Sequence, residues 1–281
     1  MTARPTTVEL LQAGRERLER AHPGAQLDAE VLLAYALRMN RAKIRSHPEE
    51  RCEPHEREAY LTLIERRASG EPLAYVVGAR EFWSLELAVG PAVLVPRPET
   101  ELLVERALTL RAATDGAIGD LGTGSGAIAL ALARERPGWH IVATDTSAGA
   151  LATARRNASS LGIASVEFLS GDWFAPLAGR RFHLLISNPP YIAAQDPVLD
   201  AAPLKFEPRA ALTPGDDALS ALRTIIRGAP QHLERGGWLL LEHGATQAPE
   251  VARELVVRGF AHVRSHRDLA GHERMTEARW G

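Results

Sequence analysis

Short strand-like runs alternate with longer helix-like segments from residue 117 onward, and no other feature of this sequence restricts the fold as strongly. Such alternation is typical of a parallel sheet whose strands are joined by helices. The predicted strands cover residues 117–121, 140–144, 166–169, 183–187 and 238–241, with a terminal hairpin over 261–265 and 276–280. The predicted helices cover residues 127–136, 148–161, 218–233 and 248–258. The sequence therefore predicts an α/β domain built on a largely parallel sheet.

The chain has 281 residues, which leaves room for a smaller domain ahead of this sheet. We predict a helical N-terminal domain over residues 1–72, a β-hairpin linker over 73–95 and the α/β domain over 96–281. Short, partly alternating apolar runs that Gly78 and Gly90 interrupt indicate the linker. Its strand-like runs cover residues 75–77, 82–87 and 92–95.

Composition restricts the partners and the compartment. The formal net charge of -2 gives no support to a surface that neutralises nucleic-acid phosphates, so we expect no direct nucleic-acid binding. No apolar run approaches the roughly 20 residues of a membrane span, and the N-terminus lacks a signal-peptide pattern. Cys52 is the only cysteine, which excludes an internal disulfide and a thiolate zinc site. We expect a cytoplasmic protein without a metal.

A glycine-rich loop, Asp120–Gly126 (DLGTGSG), joins the first predicted strand of the α/β domain to the helix that follows it. Glycines let the backbone turn sharply and let a ligand reach main-chain N–H groups that a Cβ would cover. A tight turn would explain a lone glycine pair, but three alternating glycines in this context favour a cofactor site. The predicted cofactor-binding residues of the loop are Asp120, Gly122, Thr123, Gly124, Ser125 and Gly126.

The loop alone does not select the cofactor, because Gly122, Gly124 and Ala127 also satisfy a loose dinucleotide fingerprint. Asp145 ends the next predicted strand, where a carboxylate can bond the ribose hydroxyls of either cofactor or cap the following helix. Asp120 favours a cofactor with a cationic amino-acid group and no pyrophosphate, since a carboxylate here would face phosphate charge in a dinucleotide site. S-adenosyl-L-methionine meets that requirement.

The fourth predicted strand runs directly into a second loop, Asn188-Pro189-Pro190-Tyr191. Ligands of open α/β sheets bind beyond the carboxyl ends of the strands, so this loop should face the cofactor. The side-chain oxygen of Asn188 and the main-chain oxygen of Pro189 can together accept both N–H bonds of one planar NH2 group. Tyr191 supplies a ring for the flat face of that group. An ordinary turn with a surface tyrosine is the alternative.

This arrangement suits a poor nucleophile. The nitrogen lone pair of an amide or aromatic amine is delocalised, and two acceptors aimed at its hydrogens stabilise the charge that develops during methyl transfer. The methyl group need only be aligned with the lone pair, so we assign no general base. Asn188, Pro189 and Tyr191 are the predicted catalytic residues, and Asn188, Pro189, Pro190 and Tyr191 are the predicted substrate-binding residues.

Together with Pro96-Arg97-Pro98-Glu99-Thr100, the two loops resemble those of the release factor glutamine methyltransferases, and the resemblance covers essentially the whole chain. That family methylates the side-chain amide nitrogen (N5) of the glutamine in the Gly-Gly-Gln motif of class 1 peptide chain release factors. The resemblance implies a Rossmann-like, seven-stranded S-adenosylmethionine-dependent methyltransferase domain whose last strand pair is antiparallel. It also implies S-adenosyl-L-homocysteine as the product and a helical N-terminal domain available for release factor recognition. We expect a monomer.

The resemblance also implies further site residues. The family's cofactor positions fall on Gly122–Gly126, Asp145, Trp173 and Asn188, with the ring of Trp173 against the adenine. Phe82 and residues 96–100 would wall the far side of the pocket, with Arg97 and Glu99 stabilising the loop, although an ordinary domain-junction contact explains them equally well.

Other residues receive no functional role. His243 is interpreted as a strand-end residue. Glu207 and Arg209 could help to receive a partner, but a solvated loop explains them equally well. Gly119 departs from the family, where the first strand usually carries an apolar side chain. A glycine there weakens a buried strand but removes no ligand group.

Other functions stay open. An adenine-N6 methyltransferase on DNA or RNA would use a similar loop to hold a flipped base. A ribosomal-protein glutamine methyltransferase is separated from the favoured family only by the overall resemblance. A nicotinamide-dependent oxidoreductase would need a proton donor for which the sequence offers no clear candidate. A non-enzymatic scaffold would leave the second loop without a role.

Overall fold

The computed structural model describes residues 4–19, 24–111 and 115–281. The chain divides into two compact units, Met1–Gly78 and Ala79–Gly281. The helices of the first unit are α1 (Thr7–Glu19), α2 (Ala25–Leu37), α3 (Arg41–Ser46), α4 (Pro54–Ala68) and α5 (Leu73–Val77). Leu18, Leu33, Tyr60 and Ile64 belong to the buried core of this unit. The helical N-terminal region predicted from the sequence is therefore confirmed.

The prediction of a strand at residues 75–77 is wrong, because these residues lie in α5. Tyr75 and Val76 are buried, and α5 packs against α2 and α4. Burial against neighbouring helices outweighs the strand propensity of the β-branched residues. Gly78 ends the helix in the left-handed conformation, with φ of 77°.

The second unit begins with a hairpin of β1 (Ala79–Phe82) and β2 (Leu85–Ala88). Its turn residues Trp83 and Ser84 both have positive φ, 52° and 59°, as a tight two-residue turn requires. The predicted strand at residues 92–95 is absent among the described elements, and this prediction is wrong. The reason is visible at Val95, whose backbone N–H donates to the Glu207 carboxylate at 3.0 Å instead of to another strand.

The strands of the main sheet are β3 (Gly116–Leu121), β4 (Trp139–Asp145), β5 (Val166–Ser170), β6 (Phe182–Ser187), β7 (Leu233–Glu242), β8 (Phe260–Arg267) and β9 (Glu273–Trp280). Across the described part of the chain they form one seven-stranded sheet in the order β5-β4-β3-β6-β7-β9-β8. The pairs from β5 to β7 are parallel, whereas β9 is antiparallel to both β7 and β8. The predicted Rossmann-like α/β fold with an antiparallel last pair is confirmed.

Helices cover both faces of this sheet. They are α6 (Glu101–Leu110), α7 (Ala127–Glu135), α8 (Ala148–Ser160), α9 (Arg209–Leu212), α10 (Ser220–His232) and α11 (Ala248–Arg258). Successive residues of β6 alternate between two apolar clusters: Leu184 and Ile186 pack with α6 and α7, and Leu185 packs with α10 and α11. A central strand buried on both faces explains the unbroken apolar run that the sequence shows there.

Gly119 lies in the middle of β3, beside Leu185 of β6, and the packing of Leu185 explains why position 119 has no side chain. A Cβ at Gly119 would lie 2.6 Å from Cδ2 of Leu185, which is fully buried. Close packing of Leu185 therefore occupies the space of an apolar side chain at position 119.

The order of the strands fixes where the two predicted loops begin. β4 lies on one side of β3 and β6 on the other, so the direction of winding reverses between β3 and β6. Leu121 and Ser187, the last residues of these strands, are paired, and the Ser187 hydroxyl donates to the Leu121 carbonyl at 2.6 Å. The loops that follow start side by side, at the position where open α/β sheets bind ligands.

Candidate functional site

The glycine loop leaves β3 in a conformation that side chains disfavour. Gly122, Gly124 and Gly126 have φ of 75°, 57° and 85°. The backbone N–H groups of Gly122 and Thr123 both donate to the Thr144 carbonyl at 2.9 Å, which anchors the turn to β4. The loop then ends at α7.

Asp145 connects this loop to the next strand–helix junction. Its Oδ2 accepts from the Gly124 N–H at 2.9 Å, and its Oδ1 accepts from the Ser147 N–H at 2.8 Å. The cap of α8 is Ser147, whose hydroxyl accepts from the Ala150 N–H at 3.2 Å. Asp145 is thus positioned by two backbone donors and keeps further acceptor capacity on both oxygens.

Asp120 lies beneath the loop. It is fully buried, and its Oδ2 accepts a hydrogen bond from the Thr123 hydroxyl at 2.6 Å. Burial raises the pKa of Asp120 to about 7, the Thr123 hydrogen bond lowers it, and the charge of Asp145 raises it further. Asp120 lines neither cavity of the site and supports the loop through Thr123. Its part in cofactor choice stays a prediction.

A cavity of about 210 Å³ lies over the ends of β3 and β4. Of the residues predicted to bind the cofactor, the cavity brings together Gly122, Thr123, Gly124, Ser125, Asp145, Trp173 and Asn188. Gly126 and Asp120 are outside its walls. A Cβ at Gly122 would lie 3.3 Å from the Trp173 ring, so the glycine allows that ring to close one side.

The wall that the sequence assigns to Phe82 is formed by other residues. Phe82 is buried in the apolar core with 1% of its surface exposed and does not line the cavity. Pro96 and Thr100 do line it, together with Ala92–Leu94 and Pro208. The prediction for Phe82 is wrong because the inward face of the hairpin packs on the core.

A second cavity of about 460 Å³ adjoins the first at the loop after β6. Asn188 and Pro190 line both cavities, whereas Pro189 and Tyr191 line the second alone. Arg97 and Arg274 contribute positive charge to the second cavity, and Asp196 contributes negative charge. The loop Asn188–Tyr191 is therefore the partition between the two spaces.

The side chains of this loop are held by a buried carboxylate. Asn188 Nδ2 donates to Thr100 Oγ1 at 3.1 Å, and the Thr100 hydroxyl donates to Glu242 Oε2 at 2.7 Å. The Tyr191 hydroxyl donates to Glu242 Oε1 at 3.4 Å. Burial raises the pKa of Glu242 to about 7 and also raises the pKa of Tyr191. Thr100 and Glu242 had been given no such role from the sequence.

A second buried carboxylate holds the segment above the first cavity. Glu207 is 5% exposed, accepts from the Val95 N–H and forms an ion pair with Arg97. This corrects the interpretation of Glu207 as a solvated loop residue. Arg97 does stabilise the loop, by linking residues 95–97 to the segment before α9.

Other chemistry-bearing residues stay outside the site. His243 is fully buried, with Nε2 2.8 Å from Thr276 Oγ1, and burial lowers its pKa. Among residues 4–19, 24–111 and 115–281, no cluster of His, Cys, Asp or Glu has the arrangement of a metal site. None of the helices in these ranges has the length and apolarity needed to cross a membrane.

The sequence matches two protein-family models and is similar to proteins of known function over most of its length. Residues 9–78 match the family described as PrmC N-terminal domain, and residues 98–207 match the methyltransferase small domain. A release factor glutamine methyltransferase of Xylella fastidiosa is 47% identical over 98% of this chain and 98% of its own length. A protein of the same name from Pseudomonas aeruginosa is 48% identical over 92% of this chain and 94% of its own.

Solved structures show the same fold at lower identity. A methyltransferase from Pyrococcus furiosus superimposes with a TM-score of 0.55 at 17% identity, covering 77% of this chain and 97% of its own.

Proposed function

The chain belongs to the release factor glutamine methyltransferase family, and we propose that it methylates the side-chain amide nitrogen (N5) of a release factor glutamine. The methyl donor is S-adenosyl-L-methionine, and the glutamine is that of the Gly-Gly-Gln motif of class 1 peptide chain release factors. The observation that carries this proposal is the partition formed by Asn188–Tyr191, which lines the cavity beside the glycine loop on one side and a second cavity on the other.

The first cavity suits the donor. Gly122 and Gly124, both with positive φ, line this cavity without a Cβ that would narrow it. Asp145 offers carboxylate oxygens for ribose hydroxyls, and Trp173 offers a ring for the adenine. When bound, S-adenosyl-L-methionine supplies a methyl group on a cationic sulfonium and is left as the neutral thioether S-adenosyl-L-homocysteine. These residues require no metal for that chemistry.

The second cavity receives the glutamine side chain. Asn188 Oδ1 and the Pro189 carbonyl accept its two amide N–H bonds, and the Tyr191 ring packs on its flat face. As positive charge develops on the nitrogen, the two acceptors stabilise it. The methylated nitrogen then releases one of its protons, which by then is strongly acidic, to water, so no general base is assigned.

The protein partner is a release factor, and the chain acts as a monomer in the cytoplasm without binding nucleic acid directly. The helical region, which the sequence bounds at residue 72, contributes to recognition of the release factor, and residues 73–95 link it to the catalytic domain. Exposed apolar side chains on α1 and α2 support a recognition role, since Val8, Leu27 and Tyr35 are each at least half exposed.

One substrate panel tests the function. The purified protein is incubated with S-adenosyl-L-methionine labelled in the methyl group and, separately, with a class 1 release factor, ribosomal protein, nucleic acid or a short peptide containing Gly-Gly-Gln. We expect label in the release factor, and a lower KM for the release factor than for the peptide. Label in nucleic acid instead of the release factor would overturn the proposed function. Equal KM values for the release factor and the peptide would contradict the proposed recognition role of the helical region.

A further inference from the structure

The two ends of the Asn188 amide are chemically opposite, and the proposed function needs only one of them. Oδ1 accepts hydrogen bonds, whereas Nδ2 donates them. If the amide were rotated by half a turn, Nδ2 would face the N–H groups of the substrate glutamine and repel them. Methyl transfer therefore depends on whatever fixes the orientation of this side chain.

Thr100 fixes that orientation through the direction of its own hydroxyl. Its Oγ1 lies 2.7 Å from Glu242 Oε2, and an ionised carboxylate only accepts. The single hydroxyl proton of Thr100 is used in that bond, so toward Asn188, at 3.1 Å, Thr100 can only accept. The end of the amide that faces Thr100 must be the NH2 group, which leaves Oδ1 for the substrate.

Burial makes this chain of hydrogen bonds difficult to replace by water. Thr100 is 4% exposed and Glu242 is 2% exposed. The other oxygen of Glu242 accepts from the hydroxyl of Tyr191, so one carboxylate orients groups at both ends of the substrate loop. Glu242 comes from the end of β7 and Thr100 from the turn before α6, so two elements outside the loop determine its side-chain geometry.

We propose that Glu242 and Thr100 are positioning residues that hold the Asn188 amide with Oδ1 directed to the substrate, an inference that rests on the proposed function. Glu242 and Thr100 act through Asn188, whereas the residues that contact the reacting atoms belong to the loop Asn188–Tyr191. Thr100 also lines the first cavity, but its hydroxyl is engaged by Glu242 and Asn188, so removing that hydroxyl should affect turnover more than binding of the methyl donor.

Asn188 donates to Thr100, and Thr100 donates to Glu242, only while Glu242 is ionised. Burial raises the pKa of Glu242 to about 7, Glu99 adds to that rise, and Thr100, Tyr191 and Arg274 lower it. A protonated Glu242 can donate to Thr100, whose own proton can then turn to Asn188 Oδ1 and compete with the substrate. Turnover should accordingly fall as the pH drops below about 7.

Four variants test the inference. Thr100→Val and Glu242→Gln keep the shapes of the two side chains but no longer fix the direction of the hydrogen bonds between Glu242, Thr100 and Asn188. We expect each variant to lower kcat about 10- to 100-fold with little change in donor affinity. Thr100→Ser keeps the hydroxyl and should retain most of the activity. Thr153→Val removes another buried hydroxyl, which donates to the Gly149 carbonyl. Neither residue lines a cavity, so this variant should leave kcat unchanged. Glu242→Gln should also lose the fall in kcat below pH 7.

A readout that needs no catalysis separates this inference from the proposed function. The side-chain NH2 signals of Asn188 are identified by nuclear magnetic resonance as those missing in Asn188→Asp. We expect their hydrogen exchange to be slow in the wild type and fast in Thr100→Val. Slow exchange without methyl transfer would overturn the proposed function alone. Normal kcat in both Thr100→Val and Glu242→Gln, with transfer intact in the wild type, would overturn the positioning role.

Discussion

Asn188→Ala is expected to lower kcat for release factor methylation by about 100- to 1000-fold, the loss typical of removing one charge-stabilising hydrogen-bond partner in a transition state. The amide oxygen of Asn188 is one of only two acceptors proposed for the substrate NH2 group. Without it, one N–H bond stays unsatisfied and the nitrogen is no longer aligned. Donor binding should change much less than kcat, because Asn188 is only one of the residues that line the first cavity, and the glycine loop, Asp145 and Trp173 stay in place.

The measurement is kcat at saturating substrates, with the dissociation constant for S-adenosyl-L-homocysteine determined by calorimetry. Asn40→Ala is the matched control, because Asn40 caps α3 in the first unit and accepts from the Lys43 N–H at 2.8 Å. It should cost about 1 kcal/mol of stability and leave kcat unaltered. Near-normal transfer by Asn188→Ala would rule out the amide clamp.

Gly122→Ala should weaken donor binding by about 10- to 100-fold, because a left-handed conformation costs a non-glycine residue of order 1–3 kcal/mol. Gly122 has φ of 75°, and its added Cβ would also lie 3.3 Å from the Trp173 ring. Relief of both strains would shift the Gly122 and Thr123 N–H groups away from the Thr144 carbonyl and displace the ring. The affinity for S-adenosyl-L-homocysteine, measured by calorimetry, reports this change.

Gly162→Ala provides the same strain at a distance from the site. Gly162 has φ of 67°, nothing lies within 4 Å of a Cβ there, and the residue follows α8 outside both cavities. This control should lower the free energy of unfolding and leave donor affinity intact. If Gly122→Ala bound the product as tightly as Gly162→Ala does, the loop would not be the donor site.

Much of the fold follows from sequence periodicity and from the rules of parallel sheets. The predicted strand at residues 183–187 falls within Phe182–Ser187, and the predicted helix at 148–161 differs from Ala148–Ser160 by one residue. The adjacency of the two loops follows as well, because ligands of such sheets collect where the winding reverses. Gly122, Asp145 and Asn188 could be assigned to one region for that reason alone.

The residues that hold the site could not be found in the same way. Glu242 is 142 positions from Thr100, and Thr100 is 88 positions from Asn188, so no local pattern connects them. Glu207 lies in a loop, as the sequence indicates, but no local pattern predicts that it is buried there and accepts from the Val95 N–H. Asp120 was assigned to the cofactor by its charge, yet its side chain points beneath the loop to Thr123.

The most direct test of the central claim is to locate the transferred methyl group. A class 1 release factor is incubated with the protein and S-adenosyl-L-methionine that carries a deuterated methyl group, and its peptides are sequenced by tandem mass spectrometry. The account predicts the deuterated methyl group on the side-chain nitrogen of the glutamine in Gly-Gly-Gln, and none on a release factor in which that glutamine is alanine. A methyl group on any other residue, or an unlabelled Gly-Gly-Gln in an intact release factor, would contradict it.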